Sequence, residues 1–216
     1  MFYKLTFDMD RIDEGIKEGT NTIYAEADNM DEIEYEGVKK GFFHNVILTP
    51  RTIRDWPEVI FYYSSKASGL ESDYLLNIRS WPVVHVRVFE EFKKRGIRGV
   101  QYLAVKLVDV ATGRVNADYV LMYVENFIDA FDLEKSEYVY DEEYDFYTFL
   151  PKKTYLNERV CAGYDIFRCA KSVAAVYVSG KIKEIVQENR WTGFCFQKTV
   201  DISPNKDYTS IVNDDY

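Results

Sequence analysis

A chain of 216 residues with 47% hydrophobic and 29% charged residues can bury roughly 70% of its unfolded surface, and it is too apolar for intrinsic disorder. Its formal charge of -9 is uneven: residues 1–37 hold eleven acids against three bases, residues 129–146 hold eight acids against one lysine, and the remainder is net +6. Acidic segments of this kind argue against nucleic acid, which requires clustered Lys and Arg, and point to a cationic protein as partner, with plain solubilisation an equal reading for residues 1–37.

Eighteen tyrosines and fourteen phenylalanines favour β structure. FYKLTFD (2–8) alternates and opens the chain as a strand. Residues 8–40 lack clear periodicity, with short strands expected near TIYAEA and IEYEGV. FFHNVILTP (42–50) reads as a strand ended by Pro50. Pro57 breaks any long helix in the segment that follows, and SSKASG (64–69) reads as a loop and subdomain boundary.

The block 83–110 is clearer. VVHVRV is apolar, then Val88, Phe89 and Phe92 fall at helical spacing opposite Glu90, Glu91, Lys93 and Lys94, and Gly96 serves as C-cap. VQYLAVKLVDV is a long strand, ATGRVN a turn, and DYVLMYVE (118–125) the returning strand. The C-terminal third repeats this outline. AAVYVS is a strand, Ser179 an N-cap, Ile182, Ile185 and Val186 one helix face, and Gly193 opens the strand FCF. Placing Gly99-Val100-Gln101-Tyr102 over Gly193-Phe194-Cys195-Phe196 aligns the two copies at a shift of 94 residues. The expected fold is α+β, mostly antiparallel strands with few helices and a duplicated strand-helix-strand unit. Residues 1–71 are expected as an acidic lobe packed on a core of residues 72–203, with a flexible tail over 204–216.

Catalytic and metal motifs are scarce. His44 and His85 are the only histidines, each within an apolar stretch, where a packed histidine is the commoner reading. No zinc-type ligand spacing, nucleophile elbow or phosphate-binding glycine loop occurs, so no cofactor and no metal is expected. Cys161, Cys169 and Cys195 are sparse and unclustered, which suits core filling in a reducing cytosol better than a disulfide framework. No secretory signal and no apolar run of about 20 residues is present, so a cytoplasmic protein without a membrane partner is expected.

The run FDLEKSEYVYDEEYDF (131–146) is the one chemically suggestive cluster. Two of its acids could form a glycosidase pair, and hard cations take oxygen ligands, but the spacing fits no EF-hand loop. Dense like charge argues for exposure, and the interleaved Tyr138, Tyr140, Tyr144 and Tyr147 favour a recognition surface over a plain solvated loop.

The stretch SDYLLNIRSWPVVHVRVFEEFKKRGIRGVQYLAVKL resembles the central part of the eleventh numbered immunity-protein family of bacterial polymorphic toxin systems, typified by a myxobacterial protein. The pieces that carry the resemblance are Trp81-Pro82-Val83-Val84, Gly99-Val100-Gln101-Tyr102, Asp132 with Ser136, Ile166-Phe167-Arg168, Val178-Ser179 and Thr192-Gly193-Phe194. They span roughly residues 72–197, and residues 1–71 resemble the family only loosely. The family tends to start a helix with Val-Ser in both halves. Here His85-Val86-Arg87 stands in the first half, so loss of that cap is expected.

The resemblance implies neutralisation of a cognate toxin by binding, with no enzymatic activity. The residues expected to meet a basic toxin surface are Asp132, Glu134, Glu137, Asp141, Glu142, Glu143 and Asp145 for charge, with Tyr138, Tyr140 and Tyr144 as anchors. A turn-capping, structural role for Asp132 and Ser136 is the other reading of the front end. The alternatives to an immunity protein are a carboxylate hydrolase and a ligand-binding module with a pocket between the two copies. Toxin activity and oligomeric state are left open.

Overall fold

The computed structural model describes residues 1–10, 23–66, 71–143, 145–150 and 153–200. The expected anchor Tyr144, residues 11–22 of the acidic N-terminal segment, the second half of SSKASG and the tail from Pro204 lie outside them. The fold is α+β, mostly strand, with mainly antiparallel sheets.

Seven strands form one sheet. They are β2 (Tyr24–Ala25), β3 (Ala27–Asp28), β4 (Val59–Tyr63), β5 (Tyr74–Asn77), β6 (Val83–His85), β7 (Val100–Asp109) and β8 (Val115–Val124), in the order β2-β5-β6-β8-β7-β4-β3. Only Glu26 separates the two edge strands along the chain, which draws the edges together into a near-barrel. Curling the sheet in this way leaves only the two-residue strands β2 and β3 at its edges, shorter than a flat sheet would expose. Phe43, Phe61, Trp81, Leu107, Tyr119 and Leu121 fill the interior.

A second sheet has the order β14-β1-β13-β12-β9, with β1 (Phe2–Phe7), β9 (Phe127–Ile128), β12 (Ile166–Cys169), β13 (Ser172–Ser179) and β14 (Phe194–Lys198). β1 alternates as its sequence requires, burying Tyr3, Leu5 and Phe7. Helices α1 (Val86–Lys94) and α3 (Gly180–Glu188) share one core cluster with both sheets, contributing Val88, Phe92, Ile182, Ile185 and Val186. Phe92 and Trp191 stand edge to face at 6.0 Å, and Arg95 pairs with Glu188 at 2.7 Å beside the two helix C-termini. A short helix α2 (Glu158–Cys161) carries Asn157 as its cap.

The 94-residue shift holds in three dimensions: α1 and α3 match end to end, as do the starts of β7 and β14. The neighbour orders β5-β6-β8-β7 and β12-β13-β1-β14 are equivalent, with every contact antiparallel. His85 N donates to Asp73 O at 2.8 Å, and Ser179 N to Asp165 O at 2.8 Å. The third strand differs in origin. In the first unit it is β8, returned from β7 by a hairpin; in the second it is β1, supplied by the N-terminal residues.

Three local expectations are corrected. FFHNVIL is a 3-10 helix over Phe43–Leu48, not a strand; its buried Phe43, Val46 and Ile47 recur at the three- and four-residue spacing of a helical face. His44 therefore lies on a helical turn. IEYEGV forms only an isolated Tyr35–Val38 bridge, preceded by a 3-10 turn at Met30–Glu32. The helix caps are also reversed. His85 does cap α1, its Nδ1 accepting from Arg87 N at 3.2 Å, whereas the Ser179 hydroxyl leaves the α3 amides and donates to Asp165 Oδ1 at 3.0 Å. An imidazole nitrogen accepts as a serine oxygen does, so the cap survives the missing serine.

Candidate functional site: an acidic hairpin

The chain leaves β9 and enters the acidic run at a packed root. Phe131 lies against Phe149 and Tyr177, with ring centroids at 3.8 and 6.0 Å, and forms a bridge to Leu156. Asp132 closes the first turn. Its carbonyl accepts from Ser136 N at 2.9 Å, and its carboxylate accepts from Lys135 Nζ at 2.6 Å and from Lys135 N at 3.3 Å. The Lys135 ammonium holds the Asp132 carboxyl below the usual carboxylate range. Ser136 is buried; its hydroxyl accepts from Tyr155 N at 2.9 Å and donates to Tyr155 O at 3.3 Å. Asp132 and Ser136 thus fasten the hairpin to the body. Glu137 pairs with Lys153 at 2.7 Å, and Asp129, just upstream, pairs with Lys171.

Beyond that root, β10 (Tyr138–Asp141) and β11 (Phe146–Phe149) form a two-stranded antiparallel hairpin. The register sets Tyr138 opposite Phe149 and Tyr140 opposite Tyr147, with Val139 opposite Thr148 between them. Opposed residues share a face and successive ones alternate, so Tyr138, Tyr140, Tyr147 and Phe149 line one side. That side faces the body through Phe149 on Phe131 and through Lys171 Nζ, 5.8 Å from the Tyr147 ring centre. Tyr138 and Tyr140 lie at its margin, only 36% and 41% exposed, with Tyr147 at 5.3 and 4.6 Å. The outward side carries Val139, 63% exposed, and Thr148.

The acids collect at the tip. Asp141 accepts from Glu143 N at 3.0 Å, and Tyr140 donates its hydroxyl to Asp145 Oδ1 at 2.8 Å. The Asp145 carboxylate, by accepting that hydrogen bond, raises the Tyr140 phenol above its usual range. Asp145 takes a positive φ of 47°, which Asp tolerates in a tight turn. Glu134, Glu137, Asp141, Glu142, Glu143 and Asp145 are all exposed. A general acid of a carboxylate pair needs a desolvated setting, and these groups sit in water. Among the described residues no group of three or more His, Cys, Asp and Glu is placed to hold a metal ion, and no helix is long and apolar enough to cross a membrane. Between the two repeated units, Tyr74, Phe92, Ile182, Trp191 and Phe194 occupy the space as packed core. Cys161 and Cys169 are buried in the cluster beneath the hairpin, and burial pushes both thiols up to about 11.

The structure therefore brings the expected residues that it describes into one hairpin and its root, and separates them into two groups. Asp132 is half-buried and tied into a turn, while Glu134, Glu137, Tyr138, Tyr140, Asp141, Glu142, Glu143 and Asp145 are exposed. Sequence reasoning overlooked Val139 and the inward turn of the aromatic face. The signal was available in the alternation Tyr138-Val139-Tyr140, which places the valine opposite to the tyrosines.

A model of the Immunity protein family (Imm11) matches residues 1–201. The chain belongs to the Imm11 immunity family. Comparison with curated proteins found no match. The match extends across residues 1–71, beyond the motifs legible by eye, and in this chain those residues supply β1 and β4, both paired within the sheets. The pieces that carried the resemblance are framework positions too. Trp81 is buried in the barrel, and Gly99 and Gly193 take φ of 79° and 84°. Arg168 is 1% exposed, its Nη1 donating to Val173 O at 2.6 Å and Ala174 O at 2.9 Å, and burial pulls its guanidinium down to about 10. In this Imm11 protein the exposed hairpin stands apart from all of them except Asp132 and Ser136 at its root.

Proposed function

We propose that this protein binds and neutralises a cognate bacterial toxin domain, without catalysis, in the cytoplasm of the cell that makes it. Membership of the Imm11 family carries the reading. The acidic hairpin is the surface assigned to the toxin, through Glu134, Glu137, Asp141, Glu142, Glu143 and Asp145, and a basic face on the toxin is the complement it fits. What supports this choice is exposure together with a rigid footing: the root is packed and hydrogen-bonded, so presenting the tip costs little ordering on binding. Opposite fields accelerate encounter and reject partners of the wrong sign. The Tyr138 and Tyr140 rings contribute from the flank, braced by Tyr147.

The test is rescue. A toxin domain encoded beside this gene is expressed with and without the protein, and growth is expected only in its presence. Asp141→Lys, Glu142→Lys and Glu143→Lys together should slow association at least tenfold at low salt, with little effect at high salt. Rescue failing for every neighbouring toxin domain overturns the immunity reading. Unchanged association kinetics in the triple variant removes the hairpin from the interface.

A further inference from the structure

Resting on that immunity reading, we propose that the toxin is held by strand addition: an extended, basic segment of the toxin pairs with the free edge of β10. Leu150 N donates to Glu137 O at 2.9 Å, which sets the phase of the ladder. In an antiparallel pair, hydrogen-bonded and non-hydrogen-bonded positions alternate. Glu137, Val139 and Asp141 are thus turned toward β11, and Tyr138 and Tyr140 direct their backbone N–H and C=O groups to the opposite, open edge. Among the described residues β10 is hydrogen-bonded within its sheet to β11 alone, and all four of its residues are exposed. Elsewhere the larger sheet curls into a near-barrel with its short end strands β2 and β3 joined through Glu26, and the β14 end is met by Thr154 N on Thr199 O at 3.3 Å and by the Lys153–Val200 bridge.

An open strand edge is a template for another chain, which proteins usually blunt with charge. The charge here is of one sign. Asp141, Glu142, Glu143 and Asp145 stand at one end of the edge and Glu134 and Glu137 near the other. Two copies of this edge repel each other, so the same acids that prevent self-pairing select a strand bearing Lys or Arg. Val139 offers such a strand an apolar contact on the outer face, and Tyr138 and Tyr140 offer ring edges on the inner one.

The experiment uses the full chain and the toxin domain that passes the rescue test. Hydrogen exchange of individual amides is followed in the free and the bound protein. Strand addition requires the Tyr138 and Tyr140 amides to slow at least tenfold on binding. In parallel, Tyr140→Pro removes one edge N–H without removing a hairpin bond, and Tyr140→Ala removes the same ring but keeps that N–H. The proline variant is expected to bind at least tenfold more weakly than the alanine variant in calorimetry. If the toxin binds while both amides exchange as in the free protein, strand addition is overturned and the immunity reading stands. Equal affinities of the two variants overturn it as well. If no toxin domain binds at all, the immunity reading itself fails and takes this proposal with it.

Discussion

Asp109 shows how much one side chain can organise. It stands buried at the end of β7, and its carboxylate accepts from Thr112 Oγ1 at 2.5 Å, Ser65 N at 3.0 Å and Ala111 N at 3.0 Å. The Thr112 hydroxyl, followed by the Ser65 amide, holds the Asp109 carboxyl well below the usual carboxylate range. A carboxyl depressed in the folded state stabilises that state above its unfolded value of about 4, and the contribution is lost as pH falls through the lower folded value. Asp109→Asn should therefore flatten the loss of stability between about pH 4 and pH 2, read as urea midpoints across that range. A pH slope equal to the wild type would refute the assignment. At this scale the sequence was only partly legible. ATGRVN announced a turn, but that Ser65, 44 residues upstream, shares the carboxylate depends on β4 lying beside β7. His85 and Ser179 were both legible as helix starts. Which of them caps depended on whether Asp165 was near enough to take the serine hydroxyl.

Among the elements, the clearest dependence on position is at Gly193, where α3 gives way to β14. Its φ of 84° belongs to the left-handed region, and a Cβ there would overlap the carbonyl oxygen of Tyr74 and press on Phe7 and Ser72. Gly99 has the equivalent place and a φ of 79°, but its added Cβ would meet the Asn126 side chain, which can turn away. Gly193→Ala should cost at least about 2 kcal/mol in denaturant unfolding, and more than Gly99→Ala, because backbone yields less than a side chain. A smaller loss at Gly193 would show that β5 gives way there. Periodicity revealed α1, α3 and β1 because each buries one continuous face, and β7 and β8 showed as long apolar runs on either side of a turn. It failed at Phe43–Leu48, where six apolar-rich residues suit either period and only the barrel interior chooses between them.

For the whole molecule, the N-terminal strand decides the architecture. β1 lies between β13 and β14, so residues 2–7 complete a unit whose other strands begin at Ile166. Deleting residues 1–7 should abolish cooperative unfolding, since β13 and β14 would lose their shared partner. Moving those residues behind Val200 through a turn copied from 110–114 reproduces the β7–β8 connection, and the permuted chain should regain a single thermal transition. A permuted chain that stays unfolded would show that the two units are not equivalent in their wiring. The sequence by itself determined the α+β class, the repeated unit, the helix faces and the acidic, tyrosine-rich run, because each is written in local spacing and local charge. Tertiary structure alone decided that β1 joins the second unit, that β2 and β3 draw the seven-stranded sheet toward a barrel, and that the aromatic face of the hairpin turns inward. Those outcomes depend on which surfaces find each other across separations from tens of residues to well over a hundred, and no local pattern records that.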